Sequence, residues 1–267
     1  MLLIVTNTTK LLKLSLLGLM LFSLMSGSSL LTLKVSQGKG RAYFEERGEI
    51  VWESNTPCKA VALTFDDGPS PFFTVKILDL LKEYNIQATF FVSGKQVERF
   101  PHVLIRAFEE KHEIANHLYS HRPLSSLNEY QLKQELIQTH NLVKAITGYS
   151  MNLFRPTNGY YDEKVVRAAH SLNYNVIMWS QDSRDWSLKS GVEIANSILK
   201  SVNSGQIFLF HDQGGDRSNT IETLQIIVPK LRASGYRFLT VSELLRLDVK
   251  SKRPTDTKVN SEPHSSL

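Results

Sequence analysis

Two adjacent aspartates, Asp66 and Asp67, follow an apolar segment and precede Gly68-Pro69. Two carboxylates this close repel each other, so ionising both is unfavourable unless a cation neutralises one of them. A bound cation would leave the other aspartate free to act as a base. An aspartate before Gly-Pro is also common in turns and at helix N-caps, so this motif alone is compatible with either interpretation.

Two histidines, His117 and His121, lie four residues apart and are candidate metal ligands. Histidines at this spacing can face the same way within one turn of chain and chelate an ion. Pro123 excludes a long helix here, so the pair is predicted to lie in a loop or a single turn. Solvated and core histidines are more common than ligands. With one aspartate of the pair, however, the histidines would complete the three ligands of an open catalytic zinc site.

Three further polar motifs come directly after short apolar segments, at residues 155–159, 180–186 and 211–212. Separately, they are explained as a turn with a surface arginine, a polar loop with a packing tryptophan, and a helix N-cap at Asp212. Together with the aspartates and the histidines, they make five charged or histidine-containing motifs that each follow a predicted strand. Five such motifs are difficult to explain as independent loops, which favours one shared site.

The segments that must position these motifs alternate between short apolar runs and amphipathic stretches. This alternation predicts parallel β/α units, either in a barrel or in an open doubly wound sheet. In both folds the chemistry lies at the carboxyl ends of the strands, which is where the motifs stand. The predicted strands are residues 59–65, 88–92, 113–116, 152–154, 175–179, 206–210 and 237–240, and the predicted helices are residues 74–84, 97–110, 129–146, 163–171, 191–202 and 221–234.

The two ends of the chain differ from the middle. Residues 1–34 contain two lysines followed by an uncharged stretch of 20 residues, which is typical of a secretory signal and long enough to be an uncleaved membrane anchor. We therefore expect export to an extracellular or cell-envelope location, with membrane contact through this segment if it is not cleaved. Residues 35–56 are predicted to be a linker with some strand character near residues 49–52, 57–247 the main domain and 248–267 a disordered tail.

The composition limits the class of function. The chain has 267 residues and 42% hydrophobic content, enough to bury the core of one large domain or two small ones. A single cysteine, Cys58, excludes an intrachain disulfide. The net charge of +5 comes without a dense basic stripe, which argues against nucleic-acid binding. No HExxH motif occurs in the sequence, which disfavours a zinc protease.

In their order along the chain, the motifs resemble those of the polysaccharide deacetylase family, also called the NodB-homology or carbohydrate esterase family 4 domain, over roughly residues 57–246. The resemblance implies a distorted (β/α) barrel of about seven parallel strands and one divalent metal ion, usually zinc. It also implies a monomer that hydrolyses N-acetyl groups on an N-acetylglucosamine-containing polysaccharide, either peptidoglycan or a chitin-type chain. Two alternatives stay open: an O-acetyl xylan esterase of the same family, and a non-catalytic protein that binds cell-wall glycan.

The resemblance further implies a role for each motif residue. Asp66 would be the catalytic base, and Arg155 would orient it. His211 would be the general acid, tuned by Asp185, with Asp182 as a second candidate for that carboxylate. The implied metal ligands are Asp67, His117 and His121.

Four residues are implied to bind the substrate. Trp186 and Leu209 would line the acetyl pocket, while Asn158 and Gly159 would stand beside the developing oxyanion. The sequence departs from the family pattern at two points. Leu118 replaces the Ser or Thr that commonly follows the first metal histidine, which removes a hydroxyl that braces the loop. Thr157-Asn158 replaces the usual Pro-Tyr, which alters the groove.

Overall fold

The computed structural model describes residues 39–187 and 189–248. The predicted signal or anchor at residues 1–34 lies outside the described residues, and so does the predicted tail apart from Asp248. Within the part of the chain that the structure describes, no helix is long and apolar enough to cross a membrane.

The described strands form one nine-stranded sheet in which paired strands run parallel. They are β1 Ile50–Val51, β2 Ala60–Asp66, β3 Thr89–Val92, β4 Glu113–Asn116, β5 Leu153–Phe154, β6 Asn175–Ile177, β7 Gln181–Asp182, β8 Ile207–His211 and β9 Arg237–Phe238. Their order is β1-β6-β5-β4-β3-β2-β8-β7, with β9 beside the start of β2. An antiparallel bridge between Glu53 and Gln206 links the residue after Trp52 to the start of β8. The outermost strands β1 and β7 do not pair with each other in the described part of the chain, so the sheet is the distorted barrel that the family resemblance implies, left open as a half-barrel and with nine strands where about seven were expected.

Nine α-helices surround the described sheet. They are α1 Arg41–Glu46, α2 Phe73–Glu83, α3 Gly94–Arg99, α4 Pro101–Glu109, α5 Glu129–Thr147, α6 Glu163–His170, α7 Gly191–Ser201, α8 Ser218–Ala233 and α9 Val241–Arg246. Helix α5 begins with a capping box between Asn128 and Gln131 and ends at Gly148, whose φ of 73° is a left-handed conformation that suits glycine.

Several predicted boundaries are wrong. The single helix predicted over 97–110 is two helices, because Phe100 has φ −133° and ψ 53° before Pro101, and a residue before proline avoids the helical conformation. The described part of the predicted linker contains α1, which was not predicted, and β1, which lies within the strand character expected near residues 49–52. That segment is polar overall, but Phe44 and Trp52 are buried in the core and β1 pairs with β6. Strand β7 and helix α9 were not predicted.

Strand β2 is central to the core and to the site. All seven of its residues are buried, and Phe65 stacks between Phe90 and Phe210 with ring centroids 5.1 and 5.9 Å away. Burying a phenylalanine side chain contributes about 1.5–3 kcal/mol, so this stack fixes β2 firmly between β3 and β8. The register of β2 and β8 sets Asp66 opposite His211, which brings two of the predicted catalytic residues to one edge of the sheet.

Candidate active site

A cleft of about 410 Å³ opens at the carboxyl ends of the strands. Every predicted site residue lines it except Arg155 and Asp185, which are buried behind it and contact Asp66 and His211. Asp182, the second candidate for the tuning carboxylate, also lines the cleft. The structure thus brings residues from five separate loops to one site.

Three side chains converge as a possible metal site. The ligand atoms of Asp67, His117 and His121 all lie within 4.8 Å of one another. The Oδ1 atom of Asp67 is 3.4 Å from His117 Nε2 and 3.0 Å from His121 Nε2. Ligands about 2.1 Å from a tetrahedral ion lie about 3.4 Å apart, so the spacing and the mixed nitrogen and oxygen donors fit a zinc-like ion.

The hydrogen bonding of His117 sets its tautomer. Its Nδ1 lies 2.8 Å from the carbonyl oxygen of Arg155, and because a carbonyl can only accept, Nδ1 carries the proton. In the neutral ring, Nε2 therefore presents its lone pair towards Asp67. A backbone carbonyl behind a ligand histidine is a common arrangement that also fixes the orientation of the ring.

The loop that carries His117 and His121 is braced by other groups, although Leu118 replaces the Ser or Thr whose hydroxyl usually braces it. The segment is not helical, and both Leu118 and His121 have positive φ, at 65° and 53°. Glu135 from α5 accepts hydrogen bonds from the backbone of Tyr119 and from both the backbone and the hydroxyl of Ser120. Leu118 itself is fully buried in the core. Packing and Glu135 therefore brace the loop at this departure from the family pattern.

The loop that carries Asp67 is braced by Asp212. Its Oδ1 accepts from the Gly68 backbone at 3.0 Å, and its Oδ2 accepts from the Thr74 hydroxyl. Full burial raises the pKa of Asp212 to about 7, and the charges of Asp67 and Asp66 act in the same direction. For Asp67, burial would raise the pKa, but the two histidines outweigh burial and lower it far below its ordinary value. Asp67 is therefore ionised, as a metal ligand must be.

Gly68→Ala is expected to reduce metal binding. A Cβ at this position would lie 2.2 Å from Asp212 Oδ2, so the brace must move and carry Asp67 with it. We expect metal affinity to fall by at least about tenfold, since a displaced supporting group typically costs that much. Metal content after dialysis against a buffered zinc solution measures this loss. Gly40→Ala is the control, because a Cβ there meets nothing within 4 Å, and equal metal content in the two variants would contradict the prediction.

Arg155 and Asp66 form a buried pair beside the three candidate ligands. The guanidinium of Arg155 is fully buried, and its Nη1 donates to Asp66 Oδ1 at 2.8 Å and to the Thr64 hydroxyl. Its other nitrogens donate to the carbonyl oxygens of Ile177 and Met178, so all three nitrogens are fixed. The second oxygen of Asp66 lies 3.9 Å from His117 Nε2 and faces the cleft. This arrangement orients one carboxylate oxygen towards the site and ties the other to Arg155.

His211 and Asp185 form a second buried pair. Asp185 Oδ1 lies 2.7 Å from His211 Nδ1, and its Oδ2 accepts from the His211 backbone at 2.8 Å and from the Thr220 hydroxyl at 2.6 Å. Burial would lower the pKa of His211, but the hydrogen bond and charge of Asp185 outweigh burial and raise it. Asp182 makes no described hydrogen bond to His211 and accepts instead from the Arg184 backbone. Of the two candidates, Asp185 is thus the one that contacts the histidine.

The remaining predicted residues shape the cleft wall. Trp186 is 59% exposed on the rim, whereas Leu209 is buried at the base. Gly159 has φ 64°, and a Cβ there would lie 2.7 Å from the ring of Trp179, so the tight turn needs glycine. The Gly159 backbone N–H donates to the Pro156 carbonyl oxygen. The backbone N–H of Asn158, a residue that lines the cleft, finds no acceptor among the residues that the structure describes.

Sequence reasoning missed several residues that support or line the site, and Trp179, which lines the cleft, was assigned only to the end of a predicted strand. Asp212 was interpreted only as a helix N-cap, although its place directly after His211 was the available signal. Glu135 and Thr220 lie within helical patterns and gave no signal. Arg217 lines the cleft, and nothing in its local sequence distinguished it from an ordinary surface arginine.

Comparison with known proteins identifies the family. A family model described as polysaccharide deacetylase matches residues 53–177. A peptidoglycan-N-acetylglucosamine deacetylase of Bacillus cereus is 39% identical over 208 residues, which make up 77% of this chain and 97% of that protein. The chain belongs to the polysaccharide deacetylase family. The family, the fold and the enzyme class predicted from the motifs, a polysaccharide N-deacetylase, are confirmed.

Solved structures agree with this deacetylase in fold. The crystal structure of a peptidoglycan N-acetylglucosamine deacetylase has a TM-score of 0.75 and 34% identity, and the match covers 78% of this chain and 98% of that one. A family 4 acetyl xylan esterase from Clostridium thermocellum, solved with a cobalt ion, has a TM-score of 0.65 and 30% identity over 73% of this chain and 97% of that one. The deacetylase therefore shares its fold with proteins named both for amide and for ester substrates.

Proposed function

We propose that this deacetylase hydrolyses N-acetyl groups of an N-acetylglucosamine-containing polysaccharide, peptidoglycan or a chitin-type chain, with one bound divalent metal ion, Zn²⁺ foremost. The observation that carries the proposal is the convergence of three candidate ligands with two buried pairs, Arg155–Asp66 and Asp185–His211, around one cleft. Amide hydrolysis needs a polarised carbonyl, a base for water and an acid for the leaving amine, and the cleft offers a group for each.

The metal ligands in this proposal are Asp67, His117 and His121. When bound, the ion would supply Lewis acidity that polarises a water molecule and the acetyl carbonyl. The protein's contribution is to keep the ligands in their binding forms. His117 is held as the Nδ1–H tautomer by the Arg155 carbonyl, and Asp67 is ionised.

Asp66 is the base in this proposal. Its Oδ2 faces the cleft next to the candidate ligands, while Arg155 holds its Oδ1 at 2.8 Å. A carboxylate fixed at one oxygen can take the proton of the attacking water with the other, and it loses little orientational freedom in doing so. The charged, fully buried Arg155 therefore acts as the positioning residue for Asp66.

The acetyl group would lie between Trp186 and Leu209, which give the cleft an apolar wall and base. The oxyanion that develops on the acetyl carbonyl would accept a hydrogen bond from the backbone N–H of Asn158. That donor is favoured over the neighbouring Gly159, whose N–H is already bonded to the Pro156 carbonyl oxygen. Because the donor is a backbone group, replacement of the usual Pro-Tyr by Thr157-Asn158 leaves this function intact.

His211 is the acid in this proposal. Its Nδ1–H is held by Asp185, which leaves Nε2 to carry a proton to the leaving amine. An unprotonated amine anion is a very poor leaving group, so this proton transfer is needed for C–N cleavage. The raised pKa of His211 favours the protonated ring, which is the form that an acid needs.

Acetate release from three glycans tests the proposal. Acetylated chitooligosaccharides and peptidoglycan are expected to release acetate, and a chelator is expected to abolish that release. Acetylated xylan serves as the matched ester substrate and is expected to be the poorest of the three. Release from xylan alone would show that the enzyme is the O-acetyl esterase of the family. Release from none of the three by the metal-loaded enzyme would favour a glycan-binding role.

We further propose that the deacetylase is exported and acts as a monomer in the cell envelope. Its catalytic domain comprises residues 57–247 together with the described segment that precedes them, which begins at Lys39. The proposal of export rests on the composition of residues 1–34, which lie outside the described residues. Location of the full-length chain in fractionated cells tests it. The chain is expected in the medium or the envelope, and its recovery in the cytoplasmic fraction would contradict export.

A further inference from the structure

Arg217 is a buried cation in the wall of the cleft. Its side chain is only 6% exposed, and it lines the cleft together with Asp67 and His211. A Cβ placed on Gly214 would lie 3.1 Å from Arg217 Nη2 and 3.5 Å from Asp67 Oδ2, so the guanidinium lies on the same side of the cleft as the candidate metal site. No other lysine or arginine lines this cleft in the described part of the chain.

The hydrogen bonds of Arg217 leave part of its guanidinium unused. Nε donates to the Gln213 carbonyl oxygen and Nη2 to the Gly214 carbonyl oxygen, both at 2.8 Å. A guanidinium has five N–H groups, so these two bonds leave three N–H groups, including both of Nη1, without an acceptor among the described residues. No described carboxylate pairs with Arg217 within 4.0 Å. Because Arg217 lines the cleft and its Nη1 is not closed off from solvent, these N–H groups can donate to a ligand in the cleft.

The free edge of the Arg217 guanidinium is suited to binding a carboxylate. Nη1 and Nη2 each keep at least one N–H, and two parallel N–H groups match the two oxygens of a carboxylate. The bonds to Gln213 and Gly214 fix the other edge, so the guanidinium is already oriented before any ligand arrives. A neutral sugar hydroxyl would use one of these donors, whereas a carboxylate would use two and neutralise the charge.

We propose that Arg217 binds a carboxylate carried by the glycan chain close to the acetyl group that is removed. The preferred substrate class is then an amino-sugar chain with carboxylates, such as the lactyl groups of N-acetylmuramic acid in peptidoglycan, rather than a neutral chitin-type chain. This inference rests on the proposed function, and it chooses between the two glycans that the proposed function leaves open.

Binding and turnover of three matched glycans test this assignment. The first is an alternating tetrasaccharide of N-acetylglucosamine and N-acetylmuramic acid with free lactyl carboxylates. The second is the same chain with those carboxylates converted to methylamides, and the third is the neutral N-acetylglucosamine tetramer. Dissociation constants are measured by calorimetry on the zinc-loaded full chain, and acetate release gives kcat and KM separately. The proteins are wild type, Arg217→Gln, Arg217→Lys and the control Arg237→Gln.

Wild type is expected to bind the carboxylate chain about tenfold more tightly than its methylamide, because one charged hydrogen-bonded pair distinguishes them. Arg217→Gln is expected to abolish that preference through KM and not kcat, and Arg217→Lys to retain part of it. Arg237→Gln controls for the change in net charge. Arg237 is exposed, has no described ion pair, and lies on β9 beside Ala60, which is at the opposite end of β2 from Asp66. This variant should therefore keep the full preference for the carboxylate chain.

If wild type binds the chain with free carboxylates and its methylamide with equal affinity, the assignment is overturned before any variant is measured. A preference that survives Arg217→Gln would overturn it too, and would leave Arg217 only a role in bracing the loop from Gln213. Failure of the proposed function has a different signature. In that case no glycan releases acetate, whereas the calorimetric preference for the carboxylate is still present and still depends on Arg217.

Discussion

Asp66→Asn is expected to keep its metal and lose most of its turnover, whereas Asp67→Asn is expected to lose the metal itself. The two side chains are adjacent, but their surroundings differ. Asp67 lies 3.0 and 3.4 Å from the two histidines, while Asp66 is tied to the buried Arg155. In Asp66→Asn, the loss of a general base should lower kcat by about 100- to 10,000-fold with zinc content unchanged. In Asp67→Asn, the loss of a ligand should weaken zinc binding by at least about 100-fold.

Zinc content by elemental analysis and kcat on an N-acetylglucosamine oligosaccharide, measured on the same preparations, separate the two effects. Asp79→Asn is the control, since Asp79 is exposed on α2 and its one ion pair among the described residues is with Arg106. It removes the same charge and should change neither zinc content nor kcat. Equal loss of zinc in Asp66→Asn and Asp67→Asn would show that the assigned roles are wrong, because it would make both aspartates ligands.

Asp185→Asn is expected to move the alkaline limb of the pH profile to lower pH, and His211→Ala to remove most of the activity on amides. As the proposed acid, His211 would act in its protonated form, so activity should fall as the pH rises through its pKa. The charge of Asp185 raises that pKa against the effect of burial, and its removal therefore lowers the pKa and brings the fall in activity to lower pH. His211→Ala should lower kcat on an N-acetyl sugar by about 100- to 10,000-fold.

The measurement is kcat/KM against pH on an N-acetyl sugar and on an activated acetate ester. A good leaving group needs little protonation, so His211→Ala should lose much less on the ester than on the amide. Asp182→Asn is the matched control, because Asp182 lines the same cleft and makes no described hydrogen bond to His211. An alkaline limb that moves in Asp182→Asn and not in Asp185→Asn would reverse the assignment of the tuning carboxylate.

The strands that bear the motifs were predictable because each is a short apolar run that ends at a polar loop. Strand β2 illustrates this, since the prediction of 59–65 differs by one residue at each end from Ala60–Asp66. Strand β1 was indicated only as strand character near residues 49–52, and helix α1 was not predictable, because a few buried residues in a polar segment give no periodic pattern. Strand β7 has two residues, which is too short for any alternation to show.

The set of site residues could be predicted from motif order, but the contacts between them could not. Sequence alone left both Asp182 and Asp185 as partners of His211, because each lies within a few residues of the end of one strand. It also left open which N–H of 158–159 stays free to serve as the proposed oxyanion donor, since that depends on how the turn uses its own carbonyl groups. The brace that Asp212 gives to Gly68 and the orientation that Gly214 gives to Arg217 depend on hydrogen bonds that no local sequence pattern records.

Titrating the chelator-stripped enzyme with Zn²⁺ tests most directly whether Asp67, His117 and His121 make this deacetylase active. Acetate release from an N-acetylglucosamine oligosaccharide is measured at each step, together with bound zinc. Activity is expected to be absent in the stripped enzyme, to rise in proportion to bound zinc, and to reach its plateau at about one ion per chain. Full acetate release by the stripped enzyme, or a plateau unchanged in His117→Ala, would contradict a metal-dependent site at these three residues.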